Sequence, residues 1–90
     1  MITWDEAKRR RNLKDHGIDL ADLGAIFDFP MVSVEDGRAP YGEQRLQSLG
    51  WYQNRVVFVV WTARGDSARV ISCRYGDKHE TRTYFKALGL

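Results

Sequence analysis

The sequence predicts an α+β fold in which two N-terminal helices precede a four-stranded antiparallel meander sheet and a C-terminal helix. Three observations support this prediction. Helix caps and apolar residues at helical spacing occur before residue 30, apolar runs bounded by turn residues fill 31–74, and a capped, charged segment follows. We expect a single domain over residues 1–90, with the helices on one side of the sheet.

The N-terminal third predicts a helical hairpin. Asp5 is a good N-cap for the first helix, and Gly17 is a good residue to end it. Asp19 caps a second helix, which Pro30 ends because the residue before a proline is pushed out of the α region. The link between them is very short, which favours an αα-hairpin. Residues 1–3 suit a short edge strand but are too few to assign one.

Four strands are expected next, over residues 31–34, 43–52, 55–62 and 68–74. Residues 35–42 lack any periodicity, so we expect this loop to be mobile. Gly50 interrupts its strand and predicts a bulge or bend there.

The connections after residue 52 contain residues that are typical of tight turns. Gln53 and Asn54 predict a hairpin turn, and Gly65 offers a positive φ in the next turn. Asp77 is an N-cap for a final helix over residues 77–88. The last strand therefore ends at Arg74, just before that helix begins, and we expect any catalytic residues to lie there.

Composition excludes several classes of protein. Hydrophobic residues make up 43% and charged residues 29% of the 90 residues, as in ordinary globular domains. No apolar run approaches the roughly 20 residues of a membrane helix, and no signal-peptide pattern opens the chain. The single cysteine, Cys73, excludes an internal disulfide framework and a cysteine metal cluster, and it fits a reducing cytosol.

The charge distribution leaves two interpretations open. Residues 1–16 have a net charge of +2, residues 17–45 of −4, residues 46–63 of +1 and residues 64–90 of +3. If the two basic ends meet in the fold, they form a surface for a polyanion. Otherwise they are two solvated helix faces that never meet.

The cluster around the last strand and helix suits RNA cleavage without a metal. No metal, nucleotide or dinucleotide motif is present, and no cofactor is expected. An imidazole such as His79 can act as acid or base, and an arginine fork such as Arg74 matches phosphate oxygens. Glu80 can orient a neighbour or act as a base. The alternative is a solvated helix face, with Arg74 in a structural ion pair to Glu43 or Glu80.

Six short pieces of the sequence occur in a recognisable order. They are Trp4-Asp5-Glu6-Ala7-Lys8, Asn12-x-x-x-His16-Gly17-Ile18, Phe27-Asp28-x-Pro30, Glu43-x-Arg45, Thr62-x-Arg64, and Arg69-Val-Ile-Ser-Cys-Arg74 with Glu80 and Tyr84 downstream. The last piece is similar to an Arg-Ile-Ile-Ser-Ala-Arg pattern. As an ordered set, covering nearly the whole chain, these pieces resemble the BrnT toxin family.

The resemblance implies a RelE-like ribonuclease fold and a type II toxin that cleaves RNA and inhibits translation in the bacterial cytoplasm. It implies a cognate ribbon-helix-helix antitoxin (BrnA-like) as partner, with DNA contacted only through that antitoxin. Two sets of candidate residues follow. The catalytic candidates are Arg64, Arg74, Lys78, His79 and Glu80, and the RNA-binding candidates are His16, Arg45, Arg82 and Tyr84.

Departures from the family pattern support an alternative. Asp15 stands where the family often has lysine, Cys73 replaces an alanine, and residues 75–77 dilute a stretch that is usually more basic. The alternative is a non-catalytic, degenerate toxin-like module that binds its antitoxin and takes part in operon repression. A related reading is a module that binds an acidic partner and cleaves nothing.

Overall fold

The computed structural model of the chain describes residues 1–37 and 42–90. The described elements, in chain order, are β1 (Ile2–Thr3), α1 (Glu6–His16), a 3₁₀ helix (Leu20–Asp28), β2 (Val32–Glu35), β3 (Leu46–Tyr52), β4 (Arg55–Arg64), β5 (Ser67–Tyr75) and α2 (Lys78–Ala87). Four of the residues expected to be mobile, 38–41, lie outside the described part of the chain.

The sheet is mixed, so the predicted four-stranded antiparallel meander is wrong. Five strands lie in the order β1-β5-β4-β3-β2, and the extra strand, β1, runs parallel to β5. Ile2 is paired with Ala68 and Thr3 with Arg69. The short strand suggested for residues 1–3 is present, but a two-residue strand carries no local pattern and its partner lies more than 60 residues away, so its parallel pairing with β5 did not follow from the sequence.

The second predicted helix is a 3₁₀ helix, so the expectation of two N-terminal α-helices is also wrong. Its buried residues, Leu20, Leu23 and Ile26, recur every three positions. That spacing matches the three residues per turn of a 3₁₀ helix, whereas an α-helix rotates 3.6 residues per turn. The spacing of exactly three residues between these apolar positions was therefore the signal that the segment forms a 3₁₀ helix. Its Asp19 cap is present, with the side chain accepting from the Ala21 N–H.

Helices pack on both faces of the sheet, rather than on one side as predicted. Val57 and Val59 of β4 lie in a core cluster with residues of the 3₁₀ helix. Val56 and Phe58, which alternate with them, pack in a second cluster with Tyr84 of α2. Successive strand residues point to opposite faces, so α2 covers the reverse face. We call this second face the α2 face.

The irregularity in the sheet lies at β5 and not at Gly50. Pairing between β3 and β4 is regular from Leu46 to Tyr52, and a Cβ at Gly50 would lie in ordinary van der Waals contact with Met31, Ile26 and Val57. In contrast, Val60 pairs with Ser72 while Trp61 pairs with Val70, which leaves Ile71 as an extra residue. This is a β-bulge.

Asn12 of α1 is bonded to the outer edge of β5. Its Nδ2 donates to the carbonyls of Ile18 (2.8 Å) and Cys73 (2.9 Å), and its Oδ1 accepts from the Cys73 N–H (2.9 Å). The side chain is only 4% exposed. Because β1 pairs with β5 only at its start, this amide satisfies backbone groups that a longer strand would otherwise pair.

We expect Asn12→Ala to destabilise the protein by roughly 2–4 kcal/mol, because three buried hydrogen bonds are lost and the groups of Cys73 remain desolvated. Urea unfolding followed by circular dichroism measures this change. The control is Lys14→Ala on the exposed side of α1, which should change stability by less than about 0.5 kcal/mol. Equal stability of the two variants would contradict the role given to Asn12.

Candidate functional site

The candidate site begins where β5 turns directly into α2. Gly76 donates its N–H to the Val56 carbonyl at 2.8 Å, and a Cβ there would lie 3.2 Å from Cγ1 and 3.3 Å from the carbonyl oxygen of Val56. The glycine thus allows the close approach. The next residue, Asp77, caps α2, and its side chain and that of Glu80 form a reciprocal capping box.

Arg74 and Glu80 form a bidentate pair at this turn. Nη1 and Nη2 of Arg74 donate to the two Glu80 oxygens at 2.8 and 2.9 Å. Nη1 also donates to the Tyr75 carbonyl at 3.2 Å, and the guanidinium carbon lies 4.4 Å from the centre of the Phe58 ring. These contacts fix the plane of the guanidinium, while 40% of the Arg74 side chain stays exposed.

The pair sets the charge state of both partners. The hydrogen bonds from Arg74 lower the pKa of Glu80, against the opposing effect of burial, and the Asp77 N–H lowers it further. The Glu80 carboxylate likewise raises the pKa of Arg74. Glu80 is therefore an ionised carboxylate whose oxygens are already occupied, which suits a positioning role better than proton abstraction.

Two N–H groups of Arg74 are not bonded to any described residue. A guanidinium has five, and Arg74 uses three: two on Glu80 and one on Tyr75. The remaining pair, on Nε and Nη2, points in parallel and forms a side-on fork that matches two phosphate oxygens. Arg9 shows such a fork occupied, since its Nε and Nη2 donate to the Asp19 carboxylate at 2.7 and 3.0 Å.

The bulge at Ile71 places another arginine on the same face. Directly paired residues of antiparallel strands share a face. Phe58 and Thr62 alternate onto the α2 face, and they pair with Arg74 and Arg69. In a regular strand, residues five apart point to opposite faces, so the extra residue is what brings the two arginines together.

His79 is a predicted residue that lies beside this pair. With Glu80 and Phe58 it lines a hollow of about 240 Å³ between α2 and the sheet. Lys78 and Arg82, one helical turn apart, line a different hollow of about 380 Å³ beside Gly76 and Asp77. The start of α2 therefore carries two neighbouring groups of candidates, and only the hollow that His79 lines also includes Glu80.

Arg64 and Arg45 belong to the other end of the sheet. Arg64 is six residues beyond Phe58 on β4, roughly 20 Å away along the strand, and its Nη2 donates to Glu43 at 2.8 Å. Arg45 precedes β3, and its carbonyl accepts from the Asp36 N–H at 2.7 Å. Neither is part of the cluster around Arg74.

His16 and Tyr84 are also separate from the cluster. His16 ends α1 and lines a hollow of about 190 Å³ with Arg11, Asp15 and Ile71. Tyr84 is 3% exposed, and its hydroxyl donates to the Pro30 carbonyl at 2.9 Å. Tyr84 therefore ties α2 to the segment before β2, a structural contact that leaves no open hydroxyl for RNA.

Within residues 1–37 and 42–90, no three His, Cys, Asp or Glu side chains gather closely enough to hold a metal ion. In the same residues, no helix is long and apolar enough to cross a membrane.

Comparison with known proteins identifies a matching family. Residues 4–80 match the family described as "Ribonuclease toxin, BrnT, of type II toxin-antitoxin system". The chain belongs to the BrnT toxin family. The resemblance noted in the sequence is thereby confirmed, and with it a ribonuclease toxin of a type II system that has an antitoxin partner.

A solved relative agrees with this assignment. The chain is similar to the crystal structure of the Brucella abortus ribonuclease toxin BrnT, with a TM-score of 0.65 and 29% sequence identity. The match covers 86% of this chain and 96% of that one. No curated protein sequence matches the chain.

Sequence reasoning did not assign roles to Arg69, which lies on the same face of the sheet as Arg74, or to Asn12. Arg69 is part of a matching motif, but residues five apart in a regular strand point to opposite faces, so nothing in the sequence placed it on the same face as Arg74. Asn12 was likewise only a motif residue, although it holds the strand that carries Arg74. The available signal for Asn12 was its position in a helix that has no aliphatic face and must nevertheless pack on the sheet.

We expect Glu80→Gln to reduce the loss of stability in acid. The pKa of Glu80 in the folded protein lies below its ordinary value of 4.5, so the unfolded chain takes up the proton first as the pH falls. The stabilisation is complete above pH 4.5 and disappears as the pH falls through the lower folded value. Urea unfolding at about pH 7 and about pH 3 should show a larger loss for the wild type.

Asp66→Asn, in the exposed turn between β4 and β5, is the matched control for this measurement. It should lose as much stability in acid as the wild type does. If Glu80→Gln were equally acid-sensitive, the Arg74–Glu80 pair would not be stabilising the folded protein.

Proposed function

We propose that this toxin cleaves RNA without a metal ion, at the turn between β5 and α2. One observation carries the proposal: Arg74 is held by Glu80 and still presents a side-on fork that matches a phosphate. A fixed cation at that place stabilises the charge that develops on phosphorus, the task that a metal ion performs in other nucleases.

The reaction we propose is transesterification within the RNA. The 2′-oxygen attacks the adjacent phosphorus, the bond to the 5′-oxygen breaks, and a 2′,3′-cyclic phosphate and a 5′-hydroxyl are formed. One proton leaves the 2′-hydroxyl and one reaches the 5′-oxygen. His79, which borders the Arg74 pair, is suited to one of these proton transfers, and Glu80 is a positioning residue for Arg74.

The arginines on the α2 face support a path for the RNA backbone. Thr62 and Phe58, the β4 residues that pair with Arg69 and Arg74, are four residues apart, which places the two arginines roughly 13 Å from each other along the sheet. Arg69 forms no ion pair within the described residues. Lys78 and Arg82 add positive charge on the other side of the α2 start. A single strand lying across this face would meet cations on both sides of the fork.

The biological setting is proposed from the family alone. Cleavage of cellular RNA inhibits translation in the bacterial cytoplasm, and a ribbon-helix-helix antitoxin neutralises the toxin. The toxin reaches operator DNA only through that antitoxin. Coverage of the Arg74 fork by the antitoxin would explain neutralisation.

We expect Arg74→Ala to lower the rate of RNA cleavage by roughly 10²–10³-fold, because the transition-state charge loses its fixed partner. Arg74→Lys should also be impaired, since a single ammonium cannot hold Glu80 and a phosphate in two parallel pairs. Purified protein is incubated with RNA in EDTA, and product ends are analysed for cyclic phosphate. Circular dichroism verifies that each variant is folded.

Arg10→Ala, which removes the same charge from the exposed side of α1, should cleave like the wild type. Wild-type activity of Arg74→Ala would refute the assigned role. Intact RNA after long incubation with the wild-type protein would instead favour the non-catalytic module.

We expect Arg69→Ala to weaken RNA binding and to reduce the slope of log affinity against log salt by about 1, because one phosphate contact is lost. The measurement is a titration of a non-cleavable, 2′-methoxy RNA at several salt concentrations. Arg10→Ala again serves as the control and should leave the slope unchanged. An unaltered slope for Arg69→Ala would remove this residue from the RNA path.

A further inference from the structure

Two adjoining hollows flank the start of α2, and neither is lined by Arg74 or Glu80. The first has a volume of about 380 Å³. The second, of about 300 Å³, lies between α2 and the hairpin that joins β3 to β4. Gly76 and Thr81 line both hollows, so the two form one groove, which we call the hairpin groove. Its other lining residues are Trp51, Asn54, Arg55, Val56, Asp77, Lys78, Arg82 and Phe85.

The apolar part of the hairpin groove consists of aromatic rings that the fold holds in place. The Trp51 ring stacks on the Tyr84 ring, with 6.4 Å between their centres and 12° between their planes. Phe85 packs edge-on against Trp51, with ring centres 5.7 Å apart. Trp51 and Phe85 are only partly buried, and both line the groove. The indole therefore has a fixed orientation and keeps part of its surface open to a ligand.

Three exposed cations surround these rings. Lys78 and Arg82 lie one turn apart on α2. Arg55 belongs to the hairpin, and its guanidinium carbon lies 3.7 Å from the centre of the Tyr75 ring. None of these three cations forms an ion pair within residues 1–37 and 42–90. Asp77 is the one carboxylate among the described residues that line the groove, and it is engaged in capping α2. The groove therefore has a net positive charge.

An aromatic ring among unpaired cations matches single-stranded RNA. Cations bind phosphates, and every nucleobase has an aromatic face that can stack on the ring, whatever the sequence. An acidic peptide would pair with the cations but would leave the indole unused, and the base faces of an RNA duplex are hidden inside its stack. Gly76, which lines the groove, is two residues from Arg74, so their Cα atoms are at most roughly 7 Å apart. The groove therefore begins beside the proposed cleavage site.

We propose that the hairpin groove is a second RNA subsite, in which Trp51 stacks on an unpaired base and the three cations bind the flanking phosphates. The inference rests on the proposed ribonuclease function and extends that site to a neighbouring nucleotide. Because stacking accepts any base, this subsite favours single-stranded RNA without selecting a sequence.

The first test measures stacking of a base on Trp51. The probes are a short 2′-methoxy RNA and versions of it that each lack one base but keep every phosphate. Loss of the base that occupies the groove should weaken binding to the wild type about tenfold. Trp51→Leu should weaken binding of the intact RNA by a similar factor and abolish the effect of that missing base, since both changes remove the same contact. Titrations followed by fluorescence anisotropy give the affinities.

Phe29→Leu is the matched control, since Phe29 is 49% exposed and lines neither hollow. It should respond to the missing base as the wild type does. Urea unfolding verifies that each variant is folded, and Trp51→Phe, which keeps a smaller ring, replaces Trp51→Leu if the leucine variant is unfolded. The inference is overturned if no missing base weakens binding to the wild type, or if its effect is undiminished in the folded Trp51 variant.

A second variant tests the cations without altering the rings of the groove. Arg55→Ala should lower the slope of log affinity against log salt by about 1, because one phosphate contact is lost. The effect of the missing base should remain, since Trp51 is unchanged. Arg10→Ala is the control and should leave the slope as in the wild type. An unchanged slope for Arg55→Ala would overturn the phosphate-binding role of the groove.

These binding experiments also separate the subsite from the ribonuclease proposal, because 2′-methoxy RNA cannot be cleaved. If natural RNA is never cleaved but the missing base and Trp51→Leu have the shared effect, only the ribonuclease proposal fails. If RNA is cleaved but no missing base depends on Trp51, only the subsite fails. Polyglutamate is the competitor that represents an acidic peptide. If it binds as tightly as the RNA and is weakened equally by Trp51→Leu, the assignment to RNA is overturned.

Discussion

The hydrogen bonds between the Asn12 side chain and the outer edge of β5 are the constraint on which the rest of the structure depends. β1 pairs with only the first residues of β5, so the strand that carries Arg74 would otherwise expose a backbone edge near Cys73. An amide can satisfy an N–H and a C=O at once, and it does so here from a helix. One polar side chain thereby fixes α1 against the sheet and holds the site strand in place.

The two faces of the sheet differ, since one holds most of the apolar core and the other holds the candidate site. The face covered by α1 and the 3₁₀ helix contains the larger apolar core, whereas the α2 face carries Arg69, Arg74 and the hollow that His79 lines. The bulge at Ile71 makes this separation possible, because it changes the phase of β5 between the two arginines. The core residues on either side of the bulge, Val70 and Cys73, remain buried.

Helix caps and turns could be predicted from the sequence, whereas long-range pairing and packing could not. The caps at Asp77 and Gly17 and the hairpin turn at Asn54 depend on neighbouring residues, and all three are present. The parallel pairing of β1 and the packing of α2 on the opposite face depend on contacts that no short window contains. The same holds for the site: Arg74 and Glu80 are close in sequence and in space, whereas the distance of Arg64 from them follows from strand register alone.

Glu80 takes part in two contacts at once, since the same carboxylate binds Arg74 and accepts from the Asp77 N–H at the start of α2. Fraying of the first helical turn and disorder of the guanidinium are consequently one cooperative event rather than two. A protein with this arrangement cannot loosen the end of its last helix and keep the Arg74 guanidinium ordered. Any protein that binds the start of α2, even without covering Arg74, would therefore either keep the guanidinium ordered or allow it to become disordered.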